Sequence, residues 1–301
     1  MTNLIEVEHV SKAFGGIVAN SEISLNVPEG RITGLIGPNG SGKTTLFNSI
    51  VGYHPIDSGS IRYEGREISK LLVQQIARLG MLRTFQQTRI YKAMNCTENM
   101  LVSIPHRTEG ITGIFKPYPA EVQEKAEQLL DFVGLYQKRL LISGDLSFGQ
   151  QKLLEFAMAL MNEPRVLLLD EPTAGINPTL INGLIDRMRR AAYEYGITLF
   201  VIEHNMPVIM GLADEIYCLA NGRVLAKGAP DEIKNNQQVI NAYLGPILTA
   251  YFSSLRRHLE SIGVSAPVQV MKSDGGVMSI GAAADRPAYL VESGPAAGVI
   301  G

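Results

Sequence analysis

The chain of 301 residues has no tryptophan and only two cysteines, Cys96 and Cys218. Two cysteines so far apart cannot form a disulfide framework or a metal knuckle, and such thiols are typically reduced in the cytosol. The five histidines show no ligand spacing. Long apolar runs are also missing, since VLLLD and TLFVIE fall far short of the roughly 18 residues that a membrane-spanning helix needs. The sequence therefore predicts a soluble intracellular protein.

An excess of charge of either sign is also absent, because 27 basic residues stand against 29 acidic ones. A net charge of −2 offers no general attraction to nucleic acid, so we predict no nucleic-acid partner. The first residues, MTNLIEVEHV, do not have the basic-then-apolar layout of a secretory signal.

Short apolar runs alternate with helical patterns along most of the chain. This alternation predicts a parallel sheet covered by helices. The stretch 87–165 has no strong strand and predicts a helical insertion, in which QKLLEFAMALM places apolar residues at the spacing of a buried helix. The runs expected to be strands are LIEVEHV, ISLNV, RITGLIG, VLLLD, TLFVIE, EIYCLA and GRVLAKG.

A glycine-rich run, GPNGSGKTT, lies between a predicted strand and a predicted helix. It fits the pattern G-x-x-x-x-G-K-[ST], in which glycines let successive backbone N–H groups turn toward phosphates. Lys43 would supply a cation to the outer phosphates and Thr44 a hydroxyl to Mg²⁺. An ordinary glycine turn is the alternative, but the strand and helix on either side favour nucleotide binding. This phosphate loop consists of Gly37, Pro38, Asn39, Gly40, Ser41, Gly42, Lys43, Thr44 and Thr45.

Two acidic residues, Asp170 and Glu171, lie at the end of the predicted buried strand in VLLLDEP. Asp170 can hold Mg²⁺ through water, and Glu171 can orient and polarise an attacking water. The alternative interpretation is that both acids are simply solvated at the end of a strand. A phosphate loop earlier in the chain favours the catalytic interpretation over this alternative. His204 follows the strand TLFVIE and is interpreted as a sensor of the γ-phosphate, although a lone histidine at a strand end is usually structural.

The segment DLSFGQQKLLEFAMAL begins with a capping-box pattern, Ser147 with Gln150 three residues later. By itself this indicates only a well-started helix. Together with the phosphate loop and DEP, it resembles the signature motif of ABC ATPases. The resemblance implies that Ser147, Phe148, Gly149 and Gln150 face the γ-phosphate of ATP held on a partner subunit. Phe148 stands where the family usually has a second glycine.

Other family motifs occur in the same order. Phe14 matches the aromatic residue that stacks on adenine, and Gln86 matches the glutamine that joins Mg²⁺ to the membrane-subunit contact. Asn177, in AGINP, stands where many members have aspartate. His204 matches the switch histidine of the family.

The resemblance covers residues about 1–245 and implies an α/β fold. Its expected form is a P-loop ABC ATPase domain with a mixed sheet core, an antiparallel β subdomain and a helical subdomain at about 87–165. ATP and Mg²⁺ are the implied cofactors. The resemblance assigns catalysis to Glu171, His204 and Gln86, and Mg²⁺ binding to Thr44, Gln86 and Asp170.

Within the family, phrases such as RTFQQTRIYKAMNCTENMLV and IEHNMPVIMGLADEIYCLANG are similar to the ATP-binding subunit of branched-chain amino-acid importers. The resemblance implies a peripheral subunit on the cytoplasmic face of the membrane. Its partners would be two membrane permeases, a second ATPase subunit (the same chain or a paralogue) in an ATP-sandwich dimer and, indirectly, a substrate-binding protein. The cargo would be branched-chain amino acids or related amides or urea. A soluble ABC ATPase without a permease is the alternative.

Residues from about 241 to 301 resemble a segment of the hydantoinase A and oxoprolinase family, whose SGPAAGV-type loops lie close to nucleotide phosphates. In this segment, PILTAYFSSLRRHLESIGV predicts one amphipathic helix that starts at Pro246, and PVQVMK predicts a short strand. We expect residues 246–301 to be a fused or truncated α/β fragment too short to fold as a full domain. A regulatory extension is the alternative. An amide- or hydantoin-processing activity would need catalytic parts that this segment lacks.

Overall fold

The structure is a computed structural model that describes residues 2–84, 89–104, 118–264, 266–272 and 275–290. Most of its strands lie in the first 230 residues. The strands are β1 (Asn3–Phe14), β2 (Ile17–Pro28), β3 (Ile32–Ile36), β4 (Ser58–Tyr63), β5 (Arg66–Glu67), β6 (Met81–Arg83), β7 (Val166–Asp170), β8 (Thr198–Ile202), β9 (Glu215–Ala220), β10 (Arg223–Gly228), β11 (Gln269–Met271) and β12 (Val277–Ser279).

The strands form one mixed sheet and one antiparallel sheet, with a separate hairpin of β11 and β12. The mixed sheet has the order β10-β9-β3-β8-β7-β6, in which only β10 runs antiparallel to its neighbour. The antiparallel sheet has the order β2-β1-β4-β5. Because β3, β8 and β7 are parallel neighbours, the residues that follow them meet at one edge of the sheet.

Helices cover the mixed sheet, as the strand–helix alternation predicts. The seven strands expected from the sequence are all present, and every residue of β3, β7 and β8 is buried, which is typical of parallel strands covered on both faces. The helices are α1 (Lys43–Ile50), α2 (Val73–Arg78), α3 (Cys96–Val102), α4 (Ala120–Phe132), α5 (Phe148–Leu160), α6 (Pro178–Tyr193), α7 (Met206–Leu212), α8 (Pro230–Lys234), α9 (Gln237–Ser261) and α10 (Ile280–Asp285).

Two apolar cores lie on opposite sides of the mixed sheet. One lies between that sheet, the antiparallel sheet and α1, and includes Leu35 and Phe47. The other lies between the mixed sheet and the helices of the 87–165 stretch, and includes Ile36 and Leu154. The alternation of Leu35 and Ile36 between the cores follows from the period of two in a strand. An α/β fold with mixed sheet, antiparallel sheet and helical region is thereby confirmed.

The largest difference from the sequence expectation concerns α9. The sequence predicts a helix that starts at Pro246, but α9 begins at Gln237 and continues through Pro246 to Ser261. A proline inside a helix removes one backbone hydrogen bond, so its position usually marks a helix start. Here the residues before it already belong to the same helix. The short strand expected at PVQVMK is β11, and the SGPAAGV segment lies outside the described residues.

Candidate active site

The phosphate loop connects β3 to α1 and takes its shape from glycine. Gly42 caps α1 with φ at +98°, and a Cβ atom there would lie 2.3 Å from the Ala19 carbonyl oxygen. Only glycine fits both the backbone angle and this close approach. The Asn20 side chain donates a hydrogen bond of 3.0 Å to the Gly42 carbonyl. Strand β2 therefore braces the turn from which α1 starts.

Lys43 points back into the phosphate loop. Its ammonium donates to the carbonyl oxygens of Gly37 (2.8 Å) and Pro38 (3.0 Å) and to the Ser41 hydroxyl (3.4 Å). Burial lowers the pKa of this lysine, and the nearby charges of Glu171 and Asp170 oppose that shift. The loop thus surrounds a buried cation, which suits an anionic ligand.

Asp170 is held by an arginine that the sequence reasoning did not single out. Arg83, at the end of β6, donates to the Asp170 carboxylate at 2.6 Å and to the Asn48 side-chain oxygen at 2.5 Å. The Arg83 and Asp170 side chains are each only 5% exposed. This buried pair connects β6, β7 and α1 beneath the phosphate loop.

Glu171 and His204 meet at the same edge of the sheet. Glu171 has a left-handed backbone, with φ at +50°, and its N–H donates to the Ile202 carbonyl at 2.9 Å. A left-handed backbone is uncommon for residues other than glycine, and it persists where the surrounding structure holds it in place. The Glu171 carboxylate lies 3.0 Å from His204 Nε2. A carboxylate and an imidazole so placed can share the task of orienting a water molecule.

Glu203 is a second residue that the sequence reasoning missed. It is 2% exposed, and one carboxylate oxygen accepts from the Thr173 N–H (2.9 Å) and hydroxyl (2.6 Å). Its other oxygen accepts from the N–H groups of His204 (3.2 Å) and Asn205 (3.4 Å). These four hydrogen bonds satisfy the buried charge and fix the loop after β7 to the loop after β8.

The capping box predicted at the start of α5 is present. The Ser147 hydroxyl accepts from the Gln150 N–H at 3.4 Å, and the Ser147 N–H donates to the Gln150 side chain at 3.1 Å. The ring of Phe148 lies over Gly175, where an added Cβ would be 3.0 Å from it. The absence of a side chain at Gly175 therefore makes room for the phenylalanine that replaces the family's second glycine.

Other contacts of this segment lie in the same region. A Cβ atom on Gly149 would meet the Leu180 side chain at 2.8 Å, so α5 starts in close contact with α6. Asn177 caps α6 by accepting from the Thr179 N–H at 3.1 Å. Phe148 and Gly149 thus lie against residues 175–180, whereas Ser147 forms its hydrogen bonds with Gln150 and Gln151 of α5.

Phe14 lies at the tip of the β1–β2 hairpin and is 43% exposed. Its ring meets the His54 ring edge-on, with centroids 5.2 Å apart. An exposed aromatic ring of this kind is suitable for stacking on a base. Gln86, expected to join Mg²⁺ to a partner contact, lies outside the described residues.

The donor set is suitable for a magnesium nucleotide. Asp170 offers carboxylate oxygen and Thr44 a solvent-exposed hydroxyl, and Mg²⁺ prefers such oxygen ligands. Among the described residues, no group of three or more His, Cys, Asp or Glu side chains could hold a metal by itself. A Mg²⁺ ion here would therefore complete its coordination with phosphate and water, as is usual for this ion.

Comparison with known proteins agrees with this geometry. A family model described as ABC transporter matches residues 20–174, and one described as branched-chain amino acid ATP-binding cassette transporter matches residues 223–245. The transport ATP-binding protein BraF of Pseudomonas aeruginosa is 40% identical over 251 residues, which are 80% of this chain and 98% of BraF. This chain belongs to the ABC transporter ATP-binding cassette family.

Further relatives of the cassette give the same result. The high-affinity branched-chain amino acid transport ATP-binding protein LivG of Escherichia coli strain K12 is 36% identical over 249 residues, 80% of this chain and 98% of LivG. The crystal structure of the ADP conformation of the ABC transporter cassette MJ1267 has 32% identity and a TM-score of 0.74, and the match covers 81% of this chain and 100% of that one. The cassette fold and an ATPase assignment are thereby confirmed.

The C-terminal part of the cassette chain matches a second family. A model described as hydantoinase/oxoprolinase matches residues 235–301, so it overlaps the importer model over residues 235–245. This confirms the resemblance seen in the sequence. In the described residues, no helix combines the length and the apolar character that crossing a bilayer requires.

Among the residues expected to act in the cassette, the structure brings Lys43, Asp170, Glu171 and His204 to one sheet edge. It places Phe148 and Gly149 of the signature segment against residues 175–180. Arg83 and Glu203 occur in the motifs RTFQQ and IEHNM, but the sequence reasoning gives neither residue a role. Nothing in residue spacing links Arg83 to Asp170, 87 positions away, because the contact arises from the pairing of β6 with β7.

Proposed function

We propose that this cassette is the ATP-hydrolysing subunit of a membrane importer, with the phosphates of ATP in the phosphate loop. The observation that carries the proposal is the Glu171–His204 pair, 3.0 Å apart, at the same sheet edge as Lys43. Glu171 would accept a proton from the attacking water, and His204 would contact the γ-phosphate. Asp170 and Thr44 would hold Mg²⁺.

The remaining roles follow the motif positions. Phe14 would stack on adenine, and Gln86 would join Mg²⁺ to the permease contact. The loop residues Pro38, Asn39, Gly40, Ser41 and Thr45 would surround the phosphates together with Gly37, Gly42 and Lys43.

The working unit would be a dimer that sandwiches two ATP molecules. One chain carries one phosphate loop and one signature segment, and Phe148 and Gly149 of that segment lie against residues 175–180. At the start of α5, the residues Ser147 and Phe148 are exposed, Gln150 is half-buried and Gly149 is buried. They would then reach the γ-phosphate on a second subunit, which is either a copy of this chain or a paralogue.

The cargo would be branched-chain amino acids or related amides or urea. The support is that BraF and LivG are described as branched-chain amino acid transport ATP-binding proteins. The cassette would bind two membrane permeases from the cytoplasmic face, and a substrate-binding protein would deliver the cargo to them. Residues 1–245 would form the motor, with 87–165 as its helical subdomain, and residues 246–301 an attached fragment.

The test combines ATP turnover with transport. The chain is co-expressed with permease subunits of the branched-chain amino-acid importer type, and vesicles are assayed for ATP hydrolysis and for uptake of labelled leucine. Lys43→Ala should abolish both, because it removes the cation that faces the phosphates. Co-purification with ribosomes or DNA in place of a permease, or full ATP turnover in Lys43→Ala, would contradict the proposal.

A further inference from the structure

Tyr243, on helix α9, contacts the phosphate loop from the C-terminal end of the cassette. Its side chain packs against the core on the helical side of the mixed sheet. Its phenolic oxygen accepts a hydrogen bond of 2.5 Å from the backbone N–H of Gly37, 206 positions earlier in the chain. Gly37 is the first residue of the phosphate loop, so α9 reaches the point where this loop leaves β3.

We infer that Tyr243 is a positioning residue for ATP, which fixes the first peptide of the phosphate loop through the Gly37 N–H. The inference rests on the proposed function of that loop. It extends the ATP site to a helix that no motif assigns to it.

Gly37 is anchored on both of its peptide groups. Its N–H donates to Tyr243, and its carbonyl accepts from the Lys43 ammonium at 2.8 Å. A Lys43 ammonium that turns toward phosphates in the loop would release that carbonyl. The bond to Tyr243 involves a different group and does not compete with phosphate. It can therefore hold the start of the loop while the other anchor moves.

The environment of the phenol suits this role. Burial raises the pKa of Tyr243, the nearby Cys218 thiol adds to that shift, and the Gly37 N–H opposes it. The phenol therefore stays protonated at physiological pH and keeps a neutral oxygen as acceptor. A buried N–H that loses its acceptor is costly, so phenylalanine at this position would leave the Gly37 N–H unsatisfied or admit water.

Tyr243 also lies in the stretch that both family models match, residues 235–245. Helix α9 continues beyond it, and the backbone of α10 comes close to Gly245, where a Cβ would lie 3.7 Å from the Ala284 carbonyl. The residue that braces the phosphate loop is thus two positions from a residue, Gly245, that lies close to α10.

The experiment compares the Tyr243→Phe variant with the unsubstituted chain and with a control variant, Tyr251→Phe. Tyr251 lies two turns further along α9, is 58% exposed and has its ring against Phe252. Tyr243→Phe should raise the KM and the Kd for ATP about three- to tenfold, because a phosphate loop that loses one buried hydrogen bond adopts its ATP-binding shape less often. Its kcat should stay within about twofold, because no transition-state contact is removed. Hydrogen exchange at the Gly37 amide should become faster, while Tyr251→Phe should behave like the original chain.

Two results would overturn the inference about Tyr243 without affecting the proposed function. One is a Tyr243→Phe variant with an unchanged KM and an unchanged rate of hydrogen exchange at the Gly37 amide. The other is a lower melting temperature with unchanged ATP affinity, which would show that the tyrosine has only a structural role. In both cases Lys43→Ala, measured alongside, still loses ATP binding. Normal ATP binding by Lys43→Ala would overturn the proposed function and this inference with it.

Discussion

Removal of the Arg83 guanidinium should destabilise the cassette strongly. The substitution Arg83→Met keeps much of the apolar stem and deletes the charge that faces Asp170. Both side chains are 5% exposed and the charged groups are 2.6 Å apart, so Asp170 would be left buried without its cation. The hydrogen bond to Asn48 would be lost as well.

The magnitude follows from burial. Breaking a buried ion pair by removing one partner typically costs about 3–5 kcal/mol, because the remaining charge is uncompensated. Exposed pairs contribute about 0–1 kcal/mol. In a domain of roughly 150–250 residues, 1 kcal/mol shifts the melting temperature by about 2–4 °C, so we expect a decrease of about 6–20 °C.

The assay is thermal unfolding followed by circular dichroism, with Arg165→Met as the matched control. Arg165 forms ion pairs with Glu29 and Glu64, but its side chain is 52% exposed, so its loss should shift the melting temperature little. The double variant Arg83→Met with Asp170→Asn should be less destabilised than Arg83→Met, since no unpaired charge remains. Equal small shifts for Arg83→Met and Arg165→Met would refute the reasoning.

Three further predictions concern the other parts of the chain. Glu171→Gln should retain ATP binding but lower hydrolysis roughly 10²- to 10⁴-fold, the range for a positioned base, and near-normal phosphate release would contradict its role. Glu203→Gln should lower the free energy of unfolding by about 2–4 kcal/mol, because the new amide N–H₂ would face backbone N–H donors where the carboxylate oxygen accepts hydrogen bonds. An unchanged free energy of unfolding in urea would count against this prediction. Deletion of residues 246–301 should leave ATP turnover largely intact, because Phe252 and Ala283, which are buried in the described part of this segment, belong to neither cassette core. A large loss of turnover would favour the regulatory alternative.

The extent of prediction from sequence differs between elements for physical reasons. The strands of the mixed sheet are continuous apolar runs because both of their faces are buried, so VLLLD and TLFVIE were recognisable without any contact information. Three-residue β6 has no such pattern, and it was missed together with Arg83 at its end. The start of α9 was misplaced because Pro246 is a typical first residue of a helix, whereas the core contacts of Val239 and Tyr243 hold the preceding turns in helical form.

Local sequence patterns predicted the residues expected to carry the chemistry of the cassette. Lys43, Asp170 and Glu171 stand in patterns whose spacing is set by one turn or one strand end, so these patterns are recognisable in the sequence. The residues that support them became visible only in the folded chain. Arg83 reaches Asp170 through strand pairing, and Tyr243 reaches Gly37 through the packing of α9 on the core. Contacts between residues so far apart in the chain depend on how whole elements pack, and no local pattern encodes them.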